Sequence, residues 1–145
     1  MQDDVLTIGG RAFTSRLFTG TGKFADNRLI APMLAGSGSQ MITVALRRID
    51  LAAGADNILD YIPKTVTLLP NTSGARTARE AVRIARIARE AGCGDFIKIE
   101  VITDTKYLMP DNYETLHATE ILAKEGFVVL PYVLPLMQQA RALAA

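Results

Sequence analysis

An α/β fold on a parallel sheet is predicted by three features of the sequence. Short apolar runs with strand character recur at intervals of about 24 to 31 residues, and a helical pattern separates each from the next. The runs are nearly continuous in apolar residues, as strands buried on both faces require. The length, 145 residues, suffices for one domain with a real core. Two architectures share these features: a doubly wound sheet, and the first part of a (β/α)8 barrel. A complete barrel takes about 200 to 250 residues, so five strands amount to just over half of one. Residues 1–145 are expected to form a single domain, with a hairpin over 1–14 and βα units over 15–145.

The hairpin comes from Val5-Leu6-Thr7-Ile8 and Arg11-Ala12-Phe13-Thr14, joined by Gly9-Gly10, a pair that supplies the positive φ values of a two-residue turn. Leu17-Phe18-Thr19 is the first strand of the repeat. Asp26 can cap a helix running through Leu34, and Gly36-Ser37-Gly38 stops it. Met41-Ile42-Thr43-Val44-Ala45 is the second strand, followed by a short helix over 55–61 that Pro63 ends. Val66-Thr67-Leu68-Leu69 is the third strand, closed by Pro70. Thr77 and Glu80 have capping-box spacing at the start of the clearest helix, which Gly92 terminates. The fourth strand is Phe96-Ile97-Lys98-Ile99-Glu100-Val101. Pro110 and Asp111 open the next helix, with Glu114 at capping spacing and Gly126 at its end. Phe127-Val128-Val129-Leu130 is the fifth strand, and a helical pattern runs from Pro135 to Ala145.

Composition removes several function classes. The net charge of +1 gives no global field for nucleic acid or an anionic membrane. Arg76, Arg79, Arg83, Arg86 and Arg89 do share one side of their helix. No aromatics are interleaved with them, which favours a solvated face over a nucleic-acid stripe. Cys93 is the single cysteine and His117 the single histidine, so no disulfide forms within the chain and Cys/His metal sites are not expected. His117 lies in a helical pattern and reads as a surface residue rather than a triad member. The acidic start, Met1-Gln2-Asp3-Asp4, leads into no long apolar run, so neither a signal peptide nor a membrane span is expected and the location is expected to be cytoplasmic.

Two stretches carry possible chemistry. Gly20-Thr21-Gly22-Lys23-Phe24-Ala25 follows a strand and opens a helix with G-x-G-x-x-A spacing, and Arg47 and Arg48 after the next strand suit a 2′-phosphate. This is an NADP-binding reading, set against a plain tight turn. The second stretch is the fourth strand. Alternation puts Phe96, Lys98 and Glu100 on one face and Ile97, Ile99 and Val101 on the other. On an edge strand Lys98 and Glu100 would be a solvated ion pair. In a barrel they would face the lumen near its catalytic mouth. There, desolvation gives a lysine a route to nucleophilicity, and a neutral amine can form a Schiff base with a carbonyl. Glu100, about 6 to 7 Å along the strand, is placed to shuttle protons. The polar loop residues Asn71, Thr72 and Ser73 are further candidates for the mouth.

Five blocks, in order along nearly the whole chain, carry a family resemblance: residues 17–24 (LFTGTGKF), 68–75 (LLPNTSGA), 98–102 (KIEVI), 108–111 (LMPD) and 126–132 (GFVVLPY). Together they resemble bacterial thiazole synthase, the ThiG family. The resemblance implies a (β/α)8 barrel that makes the thiazole phosphate of thiamine. It implies that Lys98 forms an imine with 1-deoxy-D-xylulose 5-phosphate and that Glu100 is the family's nearby glutamate. It brings a ThiS-type sulfur carrier thiocarboxylate and dehydroglycine as further reactants, a homo-oligomeric (tetrameric) assembly, and no cofactor. It also makes Gly20-Thr21-Gly22 a turn rather than a nucleotide site. The chain departs from the family in length. The glycine-rich loops that hold the substrate phosphate, and a further aspartate, are expected beyond Ala145. Pro135 and Leu136 stand where related sequences often have acidic residues. The chain is therefore expected to be inactive alone and to self-associate or to need a missing half. The alternatives are a non-catalytic half-barrel that holds a partner, or an NADP-binding α/β domain.

Overall fold

The computed structural model describes residues 4–22, 24–46 and 57–144. They fall into two compact units, Met1–Leu69 and Pro70–Ala145. In the first unit, strands β1 (Leu6–Ile8) and β2 (Arg11–Phe13) form the expected antiparallel hairpin, with Leu6 opposite Phe13. Gly9 and Gly10 have φ of 54° and 77°, the pair of positive values that a tight hairpin turn with the twist of its strands demands. Phe13 is buried and meets Phe18 edge to face, with centroids 6.0 Å apart. β3 (Phe18–Gly20) pairs in parallel with β4 (Met41–Ala45), Phe18 level with Met41. Between them Asp26 accepts a hydrogen bond from Arg28 N–H and caps a 3-10 turn that leads into helix α1 (Ile30–Ser37). The helix continues past Leu34 to Ser37, because of the three residues expected to stop it only Gly38 takes up the left-handed conformation, at φ 65°. Of the short helix expected over 55–61, residues 55 and 56 lie outside the described residues. The remainder is a 3-10 turn, Ile58–Tyr61, capped by Asn57.

Strand β5 (Thr67–Asn71) straddles the boundary between the units. Pro70 does not close it. The strand continues one residue further, and Asn71 is in parallel register with Lys98 of β6 (Phe96–Ile99). β9 (Val128–Pro131) pairs in parallel on the other side of β6. In the second unit the order β5-β6-β9 follows the chain without reversal, as a barrel's strands do and unlike a doubly wound sheet at its switch point.

Helices α2 (Ala78–Ala88) and α3 (Asn112–Lys124) carry the core of the second unit. Ala78, Ala81, Val82 and Ala85 of α2, with Ala118 and Leu122 of α3, bury Ile97, Ile99 and Val101. The N-terminus of α2 is capped three ways. Thr77 Oγ1 accepts from Glu80 N–H at 3.2 Å, Glu80 accepts from Arg76 N–H at 2.7 Å, and Glu114 of α3 accepts from Ala78 N–H. Glu80 thus reaches back one residue beyond the capping-box position. The helix ends through a wide turn, Arg89–Cys93, in which Gly92 has φ 82°. The row of arginines is a helix face of mixed use. Arg76, Arg79 and Arg83 are exposed, Arg86 grips Glu125, and Arg89 lies 3.3 Å above the Phe127 ring and 2.7 Å from Asp95.

The fourth strand is shorter than expected, ending at Ile99. It is followed by a second hairpin, β7 (Ile102–Asp104) and β8 (Met109–Pro110). Its connection contains no glycine. Asp104 Oδ1 holds it by accepting from Lys106 and Tyr107 N–H, and Leu108 adopts φ 54°. Pro110 therefore belongs to β8, and Asp111 alone caps α3 by accepting from Glu114 N–H. The helix predicted over 135–145 is α4 (Met137–Ala144).

Candidate active site

The alternation expected along β6 holds. Ile97, Ile99 and Val101 are completely buried on the helix side, and Lys98 and Glu100 leave the opposite face. β6 is an interior strand, so the pair does not lie on a sheet edge. Lys98 stands in register between Asn71 of β5 and Leu130 of β9. Its Nζ is 3.2 Å from Glu100 Oε1, with side chains 38% and 15% exposed respectively. The amine is thus reachable from solvent and sits against a carboxylate, rather than being desolvated in apolar surroundings.

Three segments hold the end of β6. Tyr132 N–H donates to Ile99 O at 2.9 Å, Asp111 N–H donates to Val101 O at 2.8 Å, and Thr72 binds the main chain of Glu100. Unlike the other mouth candidates, Asn71 and Ser73, Thr72 is fully buried and its side chain is spent on that contact. Asn71 and Ser73 are half-buried, and Asn71 Oδ1 accepts from Ser73 N–H at 3.2 Å. Residue types alone gave no signal of Thr72's different position, because it depends on which strands are neighbours.

The glycine-rich stretch is occupied by packing. A Cβ on Gly20 would lie 2.9 Å from Thr43 Oγ1, so glycine is needed there for the close approach of β3 and β4. Thr21 directs both its N–H and its hydroxyl to Thr43 O, each at 3.1 Å. The helical segment that follows is capped by the carboxylate of Asp26, which takes an amide and opposes an incoming phosphate. These contacts do not favour the NADP-binding reading. Lys23, Arg47 and Arg48 lie outside the described residues.

Other reactive groups are remote from such a role. His117 is exposed on α3, and burial pushes the Cys93 thiol up. Among the described residues no group of three or more His, Cys, Asp or Glu could hold a metal ion, and no helix is long and apolar enough to cross a membrane.

Comparison with known proteins gives a consistent picture. A family model described as "Thiazole biosynthesis protein ThiG" matches residues 7–145. Thiazole synthase of Pelotomaculum thermopropionicum is 64% identical over 98% of the chain and 56% of its own length. That of Acetivibrio thermocellus is 63% identical over 97% and 55%. The chain therefore spans about half the length of the curated relatives it matches. Among solved structures, the Amycolatopsis orientalis BexX/CysO complex contains a chain that matches with a TM-score of 0.76 at 31% identity, over 96% of this chain and 57% of the other.

Proposed function

The chain belongs to the ThiG family of thiazole biosynthesis proteins, and on that premise we propose that it carries the lysine-bearing part of a thiazole synthase. The observation behind this reading is the 3.2 Å contact of Lys98 Nζ with Glu100 Oε1 on an otherwise apolar interior strand. Glu100 takes a proton from the Lys98 ammonium, and the freed amine attacks the ketone carbon of 1-deoxy-D-xylulose 5-phosphate. The carbinolamine loses its hydroxyl as water, protonated by Glu100, and a protonated imine remains on Nζ. Dehydroglycine then contributes carbon and nitrogen, and the thiocarboxylate of a ThiS-type carrier contributes sulfur. The solved complex of BexX with CysO supports a protein partner of this kind. A homo-oligomeric assembly, a single barrel domain and a cytoplasmic setting belong to the same proposal. Asn71 and Ser73 are assigned to substrate oxygens on the strength of Asn71's register with Lys98.

Borohydride trapping with deoxyxylulose phosphate tests the reading. A protein of the relatives' full length is expected to gain one reduced adduct, mapped to Lys98 and absent from Lys98→Ala. An adduct that persists in Lys98→Ala, or none in that longer protein, defeats it.

A further inference from the structure

Thr72 is buried completely in the turn that leaves β5. Its N–H donates to Lys98 O at 3.1 Å, extending the β5–β6 pairing one residue past the register pair Asn71 and Lys98. Its hydroxyl then takes over from the backbone. Thr72 Oγ1 donates to Glu100 O and accepts from Glu100 N–H, both at 2.8 Å. Glu100 lies one residue beyond the end of β6, where the chain of β5 has already turned toward α2 and Thr72 O, the next ladder acceptor, is taken by Ala75 N–H at 2.9 Å. A hydroxyl is both donor and acceptor, so one small side chain can satisfy both main-chain groups that the missing ladder would have met.

We infer that Thr72 is a positioning residue for the Lys98–Glu100 pair. By closing on the main chain of Glu100 its hydroxyl fixes the direction in which that carboxylate leaves the strand, and so holds it against Lys98 Nζ. Tyr132 and Asp111 fix the residues on either side, and Thr72 fixes the one that carries the acid. The geometry stands without the proposed reaction. Only the consequence for imine formation rests on that reading.

The test compares Thr72→Val, which keeps the volume and removes the hydroxyl, with Thr72→Ser, which keeps the hydroxyl. A carbodiimide activates a carboxylate for attack by an amine in contact with it, expelling a urea and leaving an isopeptide bond. In the wild-type chain and Thr72→Ser it should link Glu100 to Lys98, read by peptide mass. In Thr72→Val the yield should fall about tenfold as the two groups lose alignment. The rate of adduct formation with deoxyxylulose phosphate should follow the same order, reduced in Thr72→Val and restored in Thr72→Ser. Wild-type yield and rate in a folded Thr72→Val overturn the inference. If that variant does not fold, amide exchange in the wild type decides. Protection of the Glu100 N–H comparable to Ile99 supports the hydroxyl contact, and rapid exchange there overturns it. Absence of the adduct in the wild type counts against the proposed reaction, while the isopeptide yield still judges Thr72.

Discussion

Glu100 and Gly20 show how much rests on single atoms. With Glu100 Oε1 at 3.2 Å from Lys98 Nζ, the carboxylate is the acid and base of the proposed imine chemistry. Glu100→Gln keeps the shape and removes the proton acceptor, so imine formation should slow by about 10²-fold or more, as for a general acid–base group. Stopped reactions quenched with borohydride measure this, and a rate within twofold of wild type would remove Glu100 from the reaction. Gly20 makes a claim about stability instead. A Cβ there meets Thr43 Oγ1 at 2.9 Å, and Thr43 is β-branched, stiff, and close to its own backbone. Gly20→Ala should therefore destabilise by about 1 to 3 kcal/mol. Urea unfolding would show it, and an unchanged midpoint would mean that Thr43 moves aside freely.

Helices and hairpins differ in how openly the sequence announces them. The caps of α2 and α3 were legible because Thr77, Asp111 and their glutamate partners act within one turn. Thr77→Ala should cost about 1 kcal/mol. The β7–β8 hairpin was not legible, since Asp104 and a left-handed Leu108 do the work usually given to glycine. Leu108 is exposed as well as strained, so Leu108→Asn should raise stability by up to about 1 kcal/mol. An unchanged melting midpoint would show that the hairpin bears no strain. The faces of β6 were legible from period two, yet the part played by Thr72 was not, because its partner is 28 residues away. The α2–α3 tie is equally non-local and is sensitive to pH. Hydrogen bonds from Arg86 hold the Glu125 carboxyl below the usual carboxylate range. A depressed carboxyl adds stability that is present above its unfolded value of about 4.3 and lost as pH falls through the folded one. Wild type should thus exceed Glu125→Gln in stability near neutral pH, with the gap closing below about pH 4 and shrinking in high salt.

At the scale of the molecule the question is what meets the surfaces left open. Tyr107, Leu108 and Met109 around the second hairpin, Tyr113 on α3, and Leu136 and Met137 at α4 are all exposed, Tyr113 at 76% and Met137 at 71%. Among the described residues β9 has a strand partner on one side only. Large exposed apolar side chains favour association over a free monomer. With a net charge of +1, repulsion between copies is weak. The chain is therefore expected to self-associate at micromolar concentration, which sedimentation velocity would show as a weight-average mass rising with loading. Leu136→Lys with Met137→Lys should shift the distribution toward monomer without moving the melting midpoint, because neither residue belongs to the buried core. A sharp monomer boundary for the wild-type chain across that range, with a cooperative melt, would mean that the exposed residues are accommodated singly. The homo-oligomeric assembly would then have to depend on surfaces other than these.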